Sequence, residues 1–279
     1  MTAEFPFKRL LLKLPDRVVD RTIIETAAGF AEQLKLNLAA EVIQGAELDW
    51  LADIPGLREL RALGEGWHPI DVAYWHKELS FAESSLKGIF EASVKNRTVS
   101  ASFSATRTAM PFTMSGVGSE DIVAIPQPGN PIDLISQQLN DLLQAAFETP
   151  AAVMLVPPAA GRGGPVVAIA ANLHDPSIRV AIEIAVTGGQ DLILVPAYKF
   201  RESISSLEAI AAGAGVPARI GELIDPASEM SSVLSDISRY NAHMLVMSRS
   251  RYGSDILAPL ATLSRQRVSI LIMNRALES

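Results

Sequence analysis

The sequence predicts an α/β fold with two tandem units, each an open parallel sheet of five strands flanked by helices. Along the 279 residues, short apolar runs rich in Val, Ile and Leu alternate with amphipathic stretches of helical period. The alternation starts again after a Pro- and Gly-rich stretch, PPAAGRGGP, at 157–165. Because parallel neighbours need a crossover segment between them, this alternation is typical of parallel sheets. We therefore predict a first domain over 1–158, a linker over 159–165 and a second, shorter domain over 166–279.

The first half begins with a buried strand, FKRLLLKL, which Pro15 ends. Asp20 can cap the next helix, because its carboxylate can accept a hydrogen bond from a free N–H group of the first turn. Asn130 and Pro131 suit the same positions before the last helix of this half. An irregular insertion near 45–75 carries Trp50, Trp67 and Trp75. The predicted strands are 7–14, 38–43, 98–105, 122–125 and 152–156, and the predicted helices are 21–36, 73–94 and 132–147.

The second half repeats this plan with weak residue identity. An aspartate follows the first strand of each half, at Asp16 and at Asp175. Asp225 and Pro226 again suit the start of a helix. We interpret the repeat as a diverged tandem duplication. The predicted strands are 166–170, 192–195, 218–223, 244–247 and 268–273, and the predicted helices are 176–187, 203–212, 227–240 and 255–266.

Composition and charge exclude several classes of function. The formal net charge is -7 and no basic cluster is present, which argues against a general nucleic-acid-binding protein. The chain has no cysteine, so disulfides, thiolate catalysis and cysteine metal ligands are excluded. No apolar run approaches the ~20 residues of a membrane span, and the first residues do not resemble a signal peptide. We therefore expect a cytoplasmic protein with no integral membrane segment.

The last stretch, 242–274, reads as a strand, a polar loop, an amphipathic helix and a final strand. Its loop follows the carboxyl end of a strand, where ligands bind in open α/β sheets. The stretch resembles the C-terminal signature of the universal stress protein family, in which a strand ending in a VMG-like run leads into G-x2-G-x9-G-[S/T]. In that family the glycine loop wraps the phosphates of ATP. The resemblance implies two Rossmann-like domains of the HUP type.

The glycine pattern of the signature is incomplete in this chain. Ser248 stands at the first small residue after the strand, and Ser250, Arg251 and Tyr252 fill loop positions where glycine is expected. The closing Gly-Ser of the signature matches the pair at 253–254. The resemblance therefore implies a tandem universal stress protein with a degenerate ATP-binding motif.

The resemblance also nominates residues for a nucleotide site. In the second half they are Asp175, Ser248, Ser250, Arg251, Gly253 and Ser254. An aspartate after the first strand can accept hydrogen bonds from the base or ribose, although turn and capping roles are the alternative. Serines, an arginine and a helix N-terminus suit phosphate, although loop residues of these types are often only solvated.

The first half has weaker equivalents, Asp16 and Gly129. The counterpart of the phosphate loop here is PQPGNP at 126–131, with one glycine and three prolines. Proline has no N–H group to offer a phosphate, so we expect no phosphate site of the family type in this half.

Other clusters give weaker hypotheses. His68, Asp71 and His76 fit no established ligand spacing, so we predict no metal site. The tryptophan-rich insertion suggests an aromatic lid over the sheet or a contact with a partner. An apolar or lipid-like ligand under this insertion is a second alternative, and the residues that would line its pocket are Phe103, Met110, Phe112 and Met114.

We expect a stress-response protein that binds or regulates rather than catalyses a reaction, with no catalytic residues and no cofactor. The main alternative is an ATP- or AMP-binding protein, with slow ATPase activity, that uses the second half. In the family, domains commonly pair through their last strands, here 153–156 and 270–273. The resemblance therefore implies pairing within the chain, a homodimer and an unidentified protein partner.

Overall fold

The computed structural model of the chain describes residues 5–15, 20–45, 54–61, 66–108, 114–127, 137–158, 163–197, 204–222, 237–249 and 268–273. The first half contains β1 (Arg9–Pro15), α1 (Arg21–Gln33), β2 (Asn37–Gly45), β3 (Arg58–Arg61), β4 (Gly66–Pro69), α2 (Val72–Val94), β5 (Ala101–Thr108), β6 (Asp121–Pro126), α3 (Gln137–Glu148) and β7 (Ala152–Val156). The second half contains β8 (Val166–Ala170), α4 (Pro176–Gly188), β9 (Leu192–Pro196), α5 (Ile204–Ala212), β10 (Ala218–Ile220), β11 (Met244–Ser248) and β12 (Ser269–Met273).

The predicted α/β class is confirmed. In the second half, the strand predicted at 218–223 ends at Ile220, and the other differences lie in the first half. The insertion contains a hairpin, β3 and β4, that the sequence pattern does not reveal. Its strands are four residues each and carry no clear alternation of apolar and polar residues. Strand β5 begins three residues later than predicted, at Ala101. The helix predicted at 255–266 and most of the one at 227–240 lie outside the described residues.

Ten of the described strands form one sheet, in the order β10–β9–β8–β11–β12–β7–β6–β1–β2–β5. Within each half, all neighbouring strands of this sheet are parallel. The first strand of each half is internal: β1 lies between β2 and β6, and β8 lies between β9 and β11. The halves meet where β12 runs antiparallel to β7, with Leu271 opposite Met154. These are the two last strands that the family resemblance nominates for pairing.

The antiparallel junction places the carboxyl ends of the two half-sheets on opposite edges of the whole sheet. A ligand site at the ends of β1 and β6 would therefore lie far from one at the ends of β8 and β11. Because ligands of open α/β sheets bind at carboxyl edges, each half has its own candidate site.

Two apolar clusters cover the two faces of the sheet. One contains Leu10 and Leu12 of β1 together with the buried sides of α1, α2, α4 and α5. The other contains Leu11 of β1, the apolar side of α3 and residues near 237–242. Strands β6, β7, β8, β9, β11 and β12 are buried at every position, as expected for parallel strands covered on both faces. Within the described ranges, every helix is too short or too polar to span a bilayer.

Three helices begin at aspartates that cap them. Asp20 accepts a hydrogen bond from the N–H of Thr22, Asp71 from that of Tyr74, and Asp175 from that of Ser177. Each carboxylate satisfies an N–H group that has no partner within its helix, and it also complements the positive end of the helix dipole. The capping role predicted for Asp20 is confirmed.

Side chains also join the two halves on either side of the β7–β12 pair. The Gln33 amide of α1 donates to the carbonyl of Ile184 in α4, at 3.1 Å. At the end of β6, the Gln127 amide donates to the carbonyl of Val268, at 2.9 Å. Gln127 is buried, so its side chain is fixed between the halves.

Gly164 fixes the start of the second half. Its φ is +118°, a backbone conformation that side-chain-bearing residues rarely adopt. A Cβ at this position would also overlap the carbonyl oxygen of Asn241. The N–H of His243 donates to the carbonyl of the next residue, Pro165, at 3.0 Å. The end of the predicted linker is therefore held against the segment that leads into β11.

We predict that Gly164→Ala lowers the free energy of unfolding by at least about 2 kcal/mol, because backbone strain adds to a backbone clash. Gly163→Ala is the matched control, since a Cβ there meets no atom within 4 Å. It should change the free energy by less than about 0.5 kcal/mol. Urea unfolding of both variants makes the comparison, and equal stabilities would contradict the fixed start of β8.

Candidate functional site

Asp175 and Ser248 meet at the carboxyl edge of the second half. Asp175 lies in the turn between β8 and α4, and Ser248 is the last residue of the neighbouring strand β11. The Ser248 hydroxyl donates to Oδ1 of Asp175 at 2.5 Å. Because β8 lies between β9 and β11, the order of the strands reverses at this point, and crevices for ligands form at such reversals. The structure thus brings together two of the six residues nominated in this half.

The Asp175 carboxylate is occupied by groups of its own chain. Oδ1 also accepts from the N–H of Ser177, at 3.0 Å, and Oδ2 accepts from the N–H of Ala171, at 2.9 Å. Only 5% of Asp175 is exposed. The carboxylate therefore closes the turn after β8, caps α4 and holds the end of β11, and it presents little surface to a ligand.

The hydroxyls around Asp175 are buried as well. Ser177 donates to the carbonyl of Ile169 in β8, at 3.0 Å, and is fully buried. Ser248 is 6% exposed. A buried charge needs several hydrogen bonds to offset its loss of hydration, and these groups supply them.

Arg249 follows Ser248 and turns toward the first half. Its guanidinium donates to the carbonyl of Phe147 at the end of α3 and lies 5.2 Å from the centre of the Phe147 ring. A cation at the carboxyl end of a helix satisfies a free carbonyl and complements the helix dipole. One of the two arginines that follow β11 is therefore held against α3 by this contact.

The other nominated residues lie outside the described residues. They are Ser250, Arg251, Gly253 and Ser254 in the second half and Asp16 and Gly129 in the first. Their roles stay predictions.

The carboxyl edge of the first half holds an ion pair that the sequence reasoning missed. Lys13 of β1 lies directly opposite Glu41 of β2, and the Lys13 ammonium pairs with the Glu41 carboxylate. Lys13 is buried and Glu41 is half-buried. Burial raises the pKa of Glu41, but hydrogen bonds from Lys13 and Thr106 and the positive charge of Lys13 outweigh it and hold the pKa below its ordinary value. The surroundings therefore favour the charged form of Glu41, and the ion pair links β1 to β2.

A signal for this pair was present in the sequence. Lys13 is set in an otherwise apolar run, LLLKL, and Glu41 is set in another, LAAEVI. Opposite charges in consecutive strands of a β-α-β unit can face each other once the register is known. The register itself is a tertiary feature, so the sequence alone does not establish the contact.

The residues proposed to line an apolar pocket do not share one face. Phe103 of β5 lies 5.7 Å from Phe90 of α2, ring centre to ring centre, on the face covered by α1 and α2. Met114 packs with the cluster on the opposite face. Met110 and Phe112 lie outside the described residues. A single pocket cannot use both Phe103 and Met114, so the predicted lipid-like site loses this lining.

The two tryptophans of the insertion that lie in the described residues are not buried against the sheet. Trp67 on β4 is 62% exposed, and Trp75 on α2 is 37% exposed. Trp50 lies outside the described residues. His68 is in β4, whereas Asp71 caps α2 and His76 lies within that helix. Across the described ranges, no three His, Cys, Asp or Glu side chains are grouped so as to hold a metal ion.

Comparisons with solved structures identify the fold. The chain is similar to a universal stress protein from Archaeoglobus fulgidus, with a TM-score of 0.67 and 12% sequence identity over 99% of this chain and 100% of that one. A protein described as a universal stress protein from Pseudomonas aeruginosa gives a TM-score of 0.52 and 13% identity over 97% and 94% of the two chains. A functionally unknown protein from the same species gives a TM-score of 0.52 and 12% identity over the same shares.

The chain therefore has the universal stress protein fold. The similarity covers both halves, since it extends over nearly the whole length of each chain. No family model matches the sequence, and no curated protein matches it. At identities this low the similarity establishes the fold and leaves the activity to the residues of the site.

We predict that Ser248→Ala lowers the free energy of unfolding by about 1–3 kcal/mol, because Asp175 loses one of the hydrogen bonds that stabilise its buried charge. Ser206→Ala, at an exposed position of α5, is the control and should be neutral or slightly stabilising. Urea unfolding measures both. A Ser248→Ala protein as stable as wild type would show that the pair does not serve stability.

Proposed function

We propose that the chain is a universal stress protein-like binding or regulatory protein of a stress response, without catalytic activity and with impaired ATP binding. The observation that carries the proposal is the buried Asp175 carboxylate, which accepts hydrogen bonds from Ala171, Ser177 and Ser248. Because Asp175 is only 5% exposed, a nucleotide could reach its carboxylate only by displacing groups that cover and bond to it. The exchange gains little free energy, because one hydrogen bond is made as another is lost.

The surroundings of β11 support the same proposal. Arg249 is held by the end of α3, so it is not poised toward a phosphate at the end of β11. The sequence of the loop after β11 has a serine, an arginine and a tyrosine where the family signature has glycine. Glycine lets several backbone N–H groups point at one anion, and side chains at those positions restrict this geometry.

The first half supports the proposal through its own loop. PQPGNP follows the end of β6, and its three prolines cannot donate backbone hydrogen bonds. Gln127 of this loop is buried and donates to the carbonyl of Val268. The residue that follows β6 thus holds the two halves together.

We further propose that 1–158 and 166–279 are diverged copies of one domain, joined through 159–165. Their sheet strands have the same order, β5–β2–β1–β6–β7 in the first half and β10–β9–β8–β11–β12 in the second. A cytoplasmic location and a protein partner stay predictions from the sequence. In this proposal the chain acts by contact with that partner and needs no cofactor.

The competing hypothesis is an ATP- or AMP-binding protein that uses the second half. Its residues would be Ser250, Arg251, Gly253 and Ser254, with the N-terminus of the following predicted helix as an anion site. Nucleotide binding there could proceed without displacement of the Asp175 hydrogen bonds if the base and ribose were held elsewhere. The two hypotheses differ in nucleotide affinity, which is measured directly.

We predict that calorimetric titration of the folded chain with ATP and with AMP gives no binding tighter than about 1 mM. The physical reason is that the aspartate and the first arginine of the loop are already occupied by contacts within the chain. Thermal unfolding with and without nucleotide provides a second readout, because a ligand that binds the native state raises the midpoint.

Gly253→Trp distinguishes the hypotheses, because a bulky side chain blocks the predicted loop. Micromolar binding by wild type that Gly253→Trp abolishes would replace our proposal with the nucleotide-binding function. Micromolar binding that survives this substitution but is lost in Asp175→Asn would show that Asp175 exchanges its partners for the ligand, which would also contradict the proposal.

A further inference from the structure

Within the described part of the chain, an exposed apolar surface lies on the insertion of the first half. We call it the insertion surface and define it as 54–61, 66–71 and the first part of α2, 72–85. Of the eight large apolar side chains exposed in the described residues, only Val186 lies elsewhere. The other seven are Ile54, Leu57, Leu60, Trp67, Tyr74, Trp75 and Phe81.

The length of α2 creates part of this surface. The helix has 23 residues, and its first buried residue is Leu86. At 1.5 Å per residue, about 20 Å of helix precedes this residue, and within that stretch the residues are half-buried or exposed. The corresponding helix of the second half, α5, has a buried residue, Leu207, in its first described turn. In the first half, by contrast, Tyr74, Trp75 and Phe81 of this stretch leave large apolar side chains in water.

The hairpin is attached to α2 by its inner face. Glu59 of β3 accepts a hydrogen bond from the indole N–H of Trp75, and Glu59 lies opposite His68 of β4. The next cross-strand pair, Leu60 and Trp67, points to the other side of the ribbon. These two side chains are 65% and 62% exposed. An isolated two-stranded ribbon is only marginally stable in water. Exposure of apolar side chains on its outer face is unfavourable in free energy unless another surface covers them.

A second row of aromatic residues runs along α2. Tyr74 and Phe81 are seven residues apart, so they lie on the same side of the helix, and Phe81 is 73% exposed. Tyr74 is in ring contact with Trp75, at 5.8 Å between centres, which joins this row to the hairpin. The Tyr74–Trp75 contact therefore joins the row on α2 to the inner face of the hairpin, and Leu60 and Trp67 extend the exposed apolar area onto its outer face.

We propose that a second copy of the chain covers the insertion surface, in a twofold-symmetric dimer. The exposed fractions of the seven side chains leave on the order of 800 Å² of apolar area in water. That total is about the area that each partner contributes to a standard interface.

Charge favours a second copy over an oppositely charged partner. The stretch 54–81 has three basic and four acidic residues, whereas the whole chain has a formal net charge of -7. Opposite charges are adjacent at Arg58–Glu59 and at Lys77–Glu78. A twofold interface brings a surface against itself, so a surface of one sign would repel its copy, while a nearly neutral surface with both signs interspersed is compatible with it. An anionic membrane would require a basic surface, which this one is not.

The test is the mass of the full-length chain in solution. Sedimentation equilibrium of wild type at low micromolar concentration should give a dimer, twice the chain mass of 29.9 kDa. Phe81→Glu should raise the dissociation constant of the dimer at least about 30-fold, as expected for an aromatic side chain near the centre of an interface. Val186→Glu is the matched control, because it also places Glu at an exposed apolar position of a helix, and it should leave the dimer unchanged.

Trp67→Ala is a second variant that does not alter α2, so the test does not depend on the fold of the Phe81 variant. It should also weaken the dimer. A wild-type monomer at about 100 μM would overturn the proposal, as would a dimer that neither substitution weakens. A monomer that binds vesicles of phosphatidylcholine and phosphatidylserine would assign the surface to membranes and would overturn it too.

The absence of cysteine allows the interface to be located directly. A spin label on Glu78→Cys should give a short intermolecular distance in the dimer. A label on Glu208→Cys, in α5, lies toward the other end of a ten-stranded sheet that is about 43 Å wide, and it should give a long one. A short distance at Glu208 with a long one at Glu78 would place the dimer contact at the opposite end and would refute the proposal.

Discussion

The antiparallel contact between β7 and β12 is the interaction on which the rest of the structure depends. Val153, Met154 and Leu155 face Ile272, Leu271 and Ile270, and each of these residues is at most 2% exposed. Without this contact, each half-sheet would end in a fully apolar edge strand. Such an edge can pair with strands of other chains and so promotes aggregation. The contact makes one sheet of two and continues both apolar clusters across the junction.

This contact also explains why the two halves have their carboxyl ends on opposite edges of the sheet. Because β7 and β12 are antiparallel, the carboxyl ends of β1 and β6 lie on one edge of the sheet and those of β8 and β11 lie on the other. At the junction, the carboxyl ends of the strands of one half are therefore next to the amino ends of the strands of the other half. Gln127 and Arg249 use this closeness, the first to reach Val268 and the second to reach Phe147. Both residues directly follow a strand at which this fold can bind ligands, and both serve as connections between the halves.

Asp175 and Ser248, near the ends of β8 and β11, also form their hydrogen bonds within the chain. Asp175 is at the position that the family resemblance assigns to a nucleotide, but its carboxylate is buried under Ser248 and bonded to the turn. Three hydrogen bonds and near-complete burial stabilise this carboxylate within the chain and leave it little contact with solvent.

The sequence was sufficient for the fold class, for the positions of most strands and for the cap at Asp20. Fully apolar runs such as LILVP and MLVMS predict buried parallel strands, and Asp20 was assigned as a cap because it precedes an amphipathic stretch. The contacts of Lys13 with Glu41 and of Arg249 with α3 were not predictable, because they depend on register and on how the halves meet. The hairpin was missed because its four-residue strands show no regular alternation of apolar and polar residues. Their apolar side chains, Leu60 and Trp67, face outward and not toward a core.

Cooperativity between the halves is the most direct test of the central role of the β7–β12 contact. Native-state hydrogen exchange of the backbone amides, measured across low urea concentrations, reports the free energy at which each strand opens. We predict that the amides of β7 and β12 exchange only through global unfolding, with one common free energy and the full urea dependence. If one half opened at a lower free energy and left the other half's terminal strand protected, the halves would be independent and the contact would not unite them.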